Sequence, residues 1–257
     1  LPLGGTNESL LAATVRRISR VSPAKHVLVV TGASLADAVQ AALPELARSQ
    51  ILCEPQGRNT APCVAWATWH VLAEREDANL VVVPSDHHIE NEARFVETIG
   101  LALSSVEKGA LATIGIVPTR PETGYGYIET GEETAKGVKR AARFVEKPTL
   151  DRAQEYLASG KFLWNAGMFF FRAKAMEASV RRHLPELAAG LDRIFAASDR
   201  DAALAEIFPK LPSISIDHGV MEKAEDLYVV PGDFGWNDVG SWQSAWELAP
   251  KDSADNA

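Results

Sequence analysis

The chain has 257 residues, and 26 lysines and arginines against 34 aspartates and glutamates give a formal net charge of -8 at pH 7. With 46% hydrophobic residues it is too apolar for a disordered segment, and an acidic chain without a basic run does not coat a nucleic acid. No apolar stretch is long enough to span a bilayer, no signal peptide opens the chain, and Cys53 and Cys63 make neither a disulfide framework nor a zinc pattern; the expectation is a cytoplasmic protein with neither nucleic acid nor membrane as partner.

Leu1-Pro2-Leu3 reads as the tail of an element rather than its start. Thr6 to Ser9 offer helix caps before a helical stripe of Leu10, Leu11, Thr14, Val15 and Ile18, which Pro23 breaks. A strand is expected over 26–32, a helix over 35–46 and a short strand over 51–54. The loop 55–62 is rich in turn residues and leads into a helix over 62–74, with Pro62 in its first turn. The run Leu80-Val81-Val82-Val83 has no polar alternation, which suits a strand buried on both faces of a parallel sheet. It stops at Ser85-Asp86-His87-His88, and in such sheets the ligand lies beyond the carboxyl ends of the strands. A helix over 92–107 and a strand over 111–116 continue the alternation. The fold class expected is α/β: a Rossmann-like, mixed and mostly parallel sheet flanked by helices.

After Pro118 the texture changes. Strands are expected over 124–129 and 138–146, a short helix over 151–159, a strand over 164–171, two helical segments within 173–209, and a last strand over 226–231 before Gly235 to Trp242. The chain then reads as one domain with two halves, 1–118 and 119–257.

Asp86 and Asp238 each follow a strand among small residues. Such hard oxygen ligands suit Mg²⁺ at a site open to phosphates. Asp86 reads equally well as a turn residue or N-cap, and Asp238 as an Asx turn before Gly240. His87 and His88 read as structural groups at a strand end. Gly57-Arg58-Asn59-Thr60 offers a charged fork, an amide edge and a backbone open to close approach, or simply a helix start capped by Thr60. Glu146-Lys147 could face a sugar phosphate or form a surface ion pair. Asn165 and Gly124-Tyr125-Gly126 could admit a sugar or only turn the chain. Trp236 and Trp242 read as packing residues.

The order of the motifs is more specific than any one of them. The series runs Glu54-Pro55-Gln56-Gly57-Arg58-Asn59-Thr60-Ala61-Pro62, Pro84-Ser85-Asp86-His87, Pro121 to Ile128, Phe144-Val145-Glu146-Lys147-Pro148, Trp164-Asn165-Ala166-Gly167-Met168, Ser215-Ile216-Asp217 to Met221-Glu222-Lys223, and Gly235 to Trp242. It resembles the bacterial mannose-1-phosphate guanylyltransferases over nearly the whole chain. The resemblance implies GMP transfer from GTP to mannose 1-phosphate, giving GDP-mannose and pyrophosphate with Mg²⁺ as cofactor. It implies Asp86 and Asp238 as metal ligands, and catalytic roles for Asp86, Lys147 and Asp238. Gly57, Arg58, Asn59, Thr60, Ser85 and Asp86 fall on the nucleotide side; Tyr125, Gly126, Glu146, Lys147 and Asn165 fall on the sugar-phosphate side. The partners implied are GTP and mannose 1-phosphate, with a homodimer left open. The family also opens with a strand and a glycine-rich phosphate loop that these residues lack, so the natural polypeptide is expected to extend upstream. Another sugar-1-phosphate nucleotidyltransferase, or an inactive homologue that binds GDP-mannose, stays open as an alternative.

Overall fold

In the computed structural model of the chain, residues 8–240 and residue 246 are described. The expected caps Thr6 and Asn7, the opening Leu1-Pro2-Leu3 and the closing Ser241-Trp242 lie outside them. Ser9 starts the first helix: its hydroxyl accepts the Ala12 N–H at 3.2 Å, satisfying a donor of the first turn. That helix, α1 (Leu10–Ile18), is followed by β1 (Val29–Gly32), α2 (Ala36–Ala42), β2 (Ile51–Glu54), α3 (Thr60–Glu74), β3 (Asn79–Val82), β4 (His88–Ile89), α4 (Glu92–Ser105) and β5 (Leu111–Ile116). The remaining elements are β6 (Tyr127–Ala135), β7 (Val138–Val145), α5 (Leu150–Ser159), β8 (Phe162–Arg172), α6 (Ala173–His183), α7 (Pro185–Ala196), α8 (Arg200–Ile207), α9 (Ile216–Gly219), β9 (Leu227–Gly232) and β10 (Trp236–Asn237). The two helical segments expected within 173–209 are three, because Pro185 opens α7 and the Asp199 carboxylate caps α8 by accepting the Ala202 N–H.

The central sheet is mixed and flanked by helices, with strand order β3-β8-β5-β9-β7-β6. Its two faces follow the alternation of strand side chains. Leu111, Phe169, Phe171, Leu227 and Val229 pack with Trp66, Val180 and Leu187, from α3, α6 and α7. Ala112, Met168, Phe170 and Val230 pack instead with Phe95, Ile99 and Ala102 of α4. The strand β3 differs from the expectation of a place inside a parallel sheet. It lies at the end of the strand order, antiparallel to β8 and half-buried. An apolar run reports that both faces are covered; it carries no information about strand direction or neighbours. The parallel pair β1–β2 stands apart as its own two-stranded sheet.

One strand explains where a site forms. One edge of β8 pairs with β6 at Phe162 to Trp164 and with β3 at Phe169 to Arg172, while β5 lines the other edge. The interval 165–168 pairs with neither β3 nor β6, so two chains part there. The segment after β3 turns off there at Pro84, near Gly167, and the segment before β6 ends at Gly126, bonded to Asn165. A parting of strands of this kind opens a crevice at the sheet edge.

Candidate active site

The turn after β3 carries Ser85, Asp86 and His87. Pro84 lies against the β8 interval: a Cβ on Gly167 would be 3.6 Å from its Cγ. β4 then pairs antiparallel with β10, His88 opposite Asn237. Asp238 therefore lies one residue, and Asp86 two residues, beyond the His88–Asn237 end of a two-stranded ribbon, Asp86 exposed and Asp238 half-buried. The helix α1 braces this turn from behind: Thr14 Oγ1 donates to the Ser85 carbonyl at 3.4 Å, and Arg17 Nη2 donates to the His87 carbonyl at 3.0 Å.

Asp238 Oδ1 accepts the Tyr125 hydroxyl at 2.7 Å and the Gly240 N–H at 3.3 Å. The Asx turn is thus real, and it leaves the other carboxylate oxygen out of those bonds. Burial and the Asp238 carboxylate push the Tyr125 hydroxyl well above its ordinary range, so it stays a donor. Trp236 Nε1 donates to His87 Nδ1 at 3.0 Å, and burial holds His87 below the usual histidine range. His87 is therefore the neutral tautomer with its proton on Nε2, a structural group as expected. Trp236 packs edge-on against both His87 and Tyr125. Asp86 and Asp238 offer hard oxygen donors of the kind that would hold a Mg²⁺ ion. Among the described residues, no three or more His, Cys, Asp or Glu side chains gather into a cage.

The second group of candidates meets on the other side of the β8 interval. The Asn165 N–H donates to the Gly126 carbonyl at 2.8 Å. A Cβ on Gly126 would lie 2.6 Å from Glu146 Oε2 and 3.3 Å from Asn165 Cβ, so three of the expected sugar-side residues converge on one point. Close approach of the Glu146 carboxylate, not the backbone angle, is what favours glycine there. The Glu146 side chain is only 9% exposed and pairs with Lys147 Nζ at 3.3 Å. Lys147 is held at φ 46°, in the left-handed region and immediately before Pro148. Both features cost backbone energy and recur at functional positions.

The loop 57–60 reaches the same place. The Asn59 side-chain oxygen accepts the Thr60 N–H, so Asn59 rather than Thr60 is the residue that caps α3. The Thr60 hydroxyl instead accepts the Ile216 N–H at 2.8 Å, and the Ala61 N–H donates to the Ile214 carbonyl. Asn59, Thr60, Glu146, Lys147, Ser213, Ser215 and Asp217 line one cleft of about 400 Å³. Arg58 does not line it: Arg58 Nε donates to the Leu211 carbonyl at 2.8 Å, with Nη2 on the same oxygen. Gly57 is exposed, and a Cβ there would meet nothing. A larger, open groove of about 670 Å³, lined by Glu90, Asn91, Glu92, Arg94 and Asp233 to Gly235, contains none of the candidate residues.

Asp217 carries no role in the sequence reading beyond its place in a motif. Burial and the neighbouring Glu146 push its carboxyl up to about 6, and Asn165 Nδ2 donates to its Oδ1 at 3.0 Å. Glu222 also belongs to this wall, accepting the Glu146 backbone N–H at 3.0 Å and pairing with His218.

Residues 1–255 match the family model described as nucleotidyl transferase. The chain is 42% identical over 261 residues to the xanthan biosynthesis protein XanB of Xanthomonas campestris pv. campestris, covering 100% of this chain and 56% of that protein. It is 42% identical over 262 residues to the mannose-1-phosphate guanylyltransferase of Salmonella montevideo, covering 97% of this chain and 55% of that one. The chain thus spans about half the length of these curated relatives. A solved structure, mannose-1-phosphate geranyltransferase from Thermus thermophilus, superposes with a TM-score of 0.84 at 37% identity, covering 93% of this chain and 68% of that one.

Proposed function

The chain belongs to the nucleotidyl transferase family, and on that premise we propose that it transfers GMP from GTP to mannose 1-phosphate. The observation that carries this reading is the shared cleft, where the α3 cap Asn59-Thr60 meets the Glu146-Lys147 pair. An amide and hydroxyl edge for a base beside an exposed ammonium for a phosphate is the set of groups that a nucleotide and a sugar phosphate need. A sugar-phosphate oxygen forms a bond to the α-phosphorus of the nucleotide as the bond from that phosphorus to the bridging oxygen breaks; pyrophosphate leaves with the electron pair. The chemistry asks for positioning and charge neutralisation more than for a protein nucleophile.

In this reading Lys147 holds the phosphate of the sugar, Glu146 and Asn165 accept and donate to its hydroxyls, and Gly126 lets the ring approach the sheet. The loop 57–60 forms the base side, with Ser85 beside the nucleotide phosphates; Arg58 serves it indirectly by tying the loop to Leu211. Asp86 and Asp238 would hold Mg²⁺, with Tyr125 fixing the Asp238 carboxylate. The bound ion supplies positive charge to phosphate oxygens as negative charge builds in the transition state. The two free cysteines suit a reducing, cytoplasmic setting. Guanine and mannose as the base and sugar are supported by the name of the Salmonella relative.

The test is pyrophosphate release, crossing GTP, ATP, UTP and dTTP with mannose 1-phosphate and glucose 1-phosphate in the presence of Mg²⁺. Release confined to GTP with mannose 1-phosphate is expected. Release with another pair moves the specificity, and binding of GDP-mannose without turnover by any pair replaces the enzyme with a binding homologue.

A further inference from the structure

The motif from Ser215 to Lys223 has no task in the reaction as described, yet it forms one wall of the cleft. Its Asp217 is joined to the sugar side through a single amide. Asn165 Oδ1 accepts two donors, the Thr113 hydroxyl at 2.9 Å and the Gly167 N–H at 3.1 Å. A backbone N–H cannot reverse its role, so this oxygen cannot be exchanged for the NH₂ group. The NH₂ is thereby turned the other way, and one of its two hydrogens goes to Asp217 Oδ1 at 3.0 Å. Thr113 is fully buried on β5, which makes the oxygen end of the amide rigid. Among the described residues, no partner takes the second hydrogen.

We propose that Asp217 is a positioning residue of the sugar-phosphate subsite: by holding one Asn165 amide hydrogen, it aims the other at a sugar hydroxyl. The inference rests on the sugar-phosphate reading of Glu146, Lys147 and Asn165. The position is costly for a carboxylate. Burial and the Glu146 charge disfavour its ionised form, and Lys147 only partly offsets them. A residue retained for packing gains nothing from a charge there; one that must hold an N–H firmly gains a stronger acceptor.

The full chain and the variants Asp217→Ala, Asp217→Asn, Asn165→Ala and Asn165→Ala/Asp217→Ala are compared by steady-state kinetics and thermal melting. Asp217→Ala is expected to raise KM for mannose 1-phosphate about tenfold or more, the worth of one hydrogen bond to a charged group, with KM for GTP within about twofold. The double variant should be no worse than Asn165→Ala, because the aspartate acts only through the amide. Asp217→Asn keeps an acceptor oxygen without the charge, so its KM should fall between those of wild type and Asp217→Ala while it melts no lower than wild type at pH 7.5. Parallel rises in both KM values, or effects that multiply in the double variant, overturn the proposal. A wild-type chain that turns over no sugar phosphate overturns the functional reading, whereas a wild-type chain that turns over but is indifferent to Asp217→Ala overturns the positioning role alone.

Discussion

Adding one methyl group at Gly126 probes the convergence of Gly126, Glu146 and Asn165 directly. The new Cβ would lie 2.6 Å from Glu146 Oε2, and ordinary contact begins at 3.4 Å, so the carboxylate must retreat by about 0.8 Å. It has little room, because its side chain is 9% exposed, and moving it also disturbs the 3.3 Å pair with Lys147. Overpacking of this kind costs about 1–3 kcal/mol of stability, while a displacement near 1 Å at a substrate-positioning group lowers rate by about 10²-fold. Gly126→Ala is therefore expected to lower kcat/KM for mannose 1-phosphate by about 10²-fold while leaving the dissociation constant of GTP within about twofold, measured by pyrophosphate release and by equilibrium titration. Gly124→Ala is the control. Its nearest neighbour is the Glu122 carboxylate oxygen at 3.3 Å on the surface, and it should behave as wild type. A Gly126→Ala protein that keeps full kcat/KM would refute the placement of Glu146 and Asn165 at the sugar.

Arg58→Ala and Arg58→Lys should both lower the unfolding free energy measured by urea denaturation, the alanine by about 1.5–3 kcal/mol, because the fork on the Leu211 carbonyl ties two distant loops together; an unchanged stability would return Arg58 to a direct nucleotide contact. Asp86→Asn and Asp238→Asn should each raise the Mg²⁺ concentration for half-maximal turnover about tenfold or more, a loss of one charged ligand, and chelation with EDTA should abolish turnover; no change in Asp238→Asn removes it from the metal site. His87 is held below the ordinary histidine range, so the unfolded chain binds more protons, and the stability from neutral His87 is full above about pH 6.5 and falls as pH drops below it. Asp217, pushed up to about 6, has the opposite sign. Its protonated form favours the fold, and that stability is lost as pH rises from the unfolded value near 4 through about 6, so Asp217→Asn should gain up to about 3 kcal/mol at pH 7.5. Denaturation of wild type and Asp217→Asn at pH 5, 6 and 7.5 separates the two slopes; an Asp217→Asn variant less stable than wild type at pH 7.5 contradicts the assigned burial. Cys63, whose thiol burial pushes up to about 12, should resist alkylation at pH 8 until the chain is unfolded.

Much of the element order was legible, since buried strands and capped helices announce themselves locally: Ser9 starts α1, Pro62 falls in the first turn of α3, and Leu111–Ile116 is a strand from end to end. The neighbourhood of each strand was not. β3 lies at the end of the strand order against an antiparallel β8, because the same apolar residues suit either direction. The site shows the same division. Asp86 and Asp238 stand out as small-residue turns after strands, but that β4 and β10 pair is a contact between segments about 150 residues apart. Arg58 looks like an anion holder from its neighbours alone; its partner, Leu211, lies 153 residues away. Asp217 could not be singled out by type or spacing, since its interest comes from burial beside Glu146 and from the Asn165 amide. What the chain order did carry was the series of motifs, and the convergence of Gly126, Glu146 and Asn165 gives that order a three-dimensional reason.

The most direct measurement follows the oxygens. Mannose 1-phosphate labelled with ¹⁸O in its phosphate is incubated with GTP, Mg²⁺ and the full chain, and the products are read by ³¹P NMR. The account predicts GDP-mannose that retains every label in the phosphoryl group attached to the sugar, including the oxygen bridging to the former α-phosphorus, with unlabelled pyrophosphate. Labelled pyrophosphate, or orthophosphate in place of pyrophosphate, would contradict attack by the sugar phosphate on the α-phosphorus.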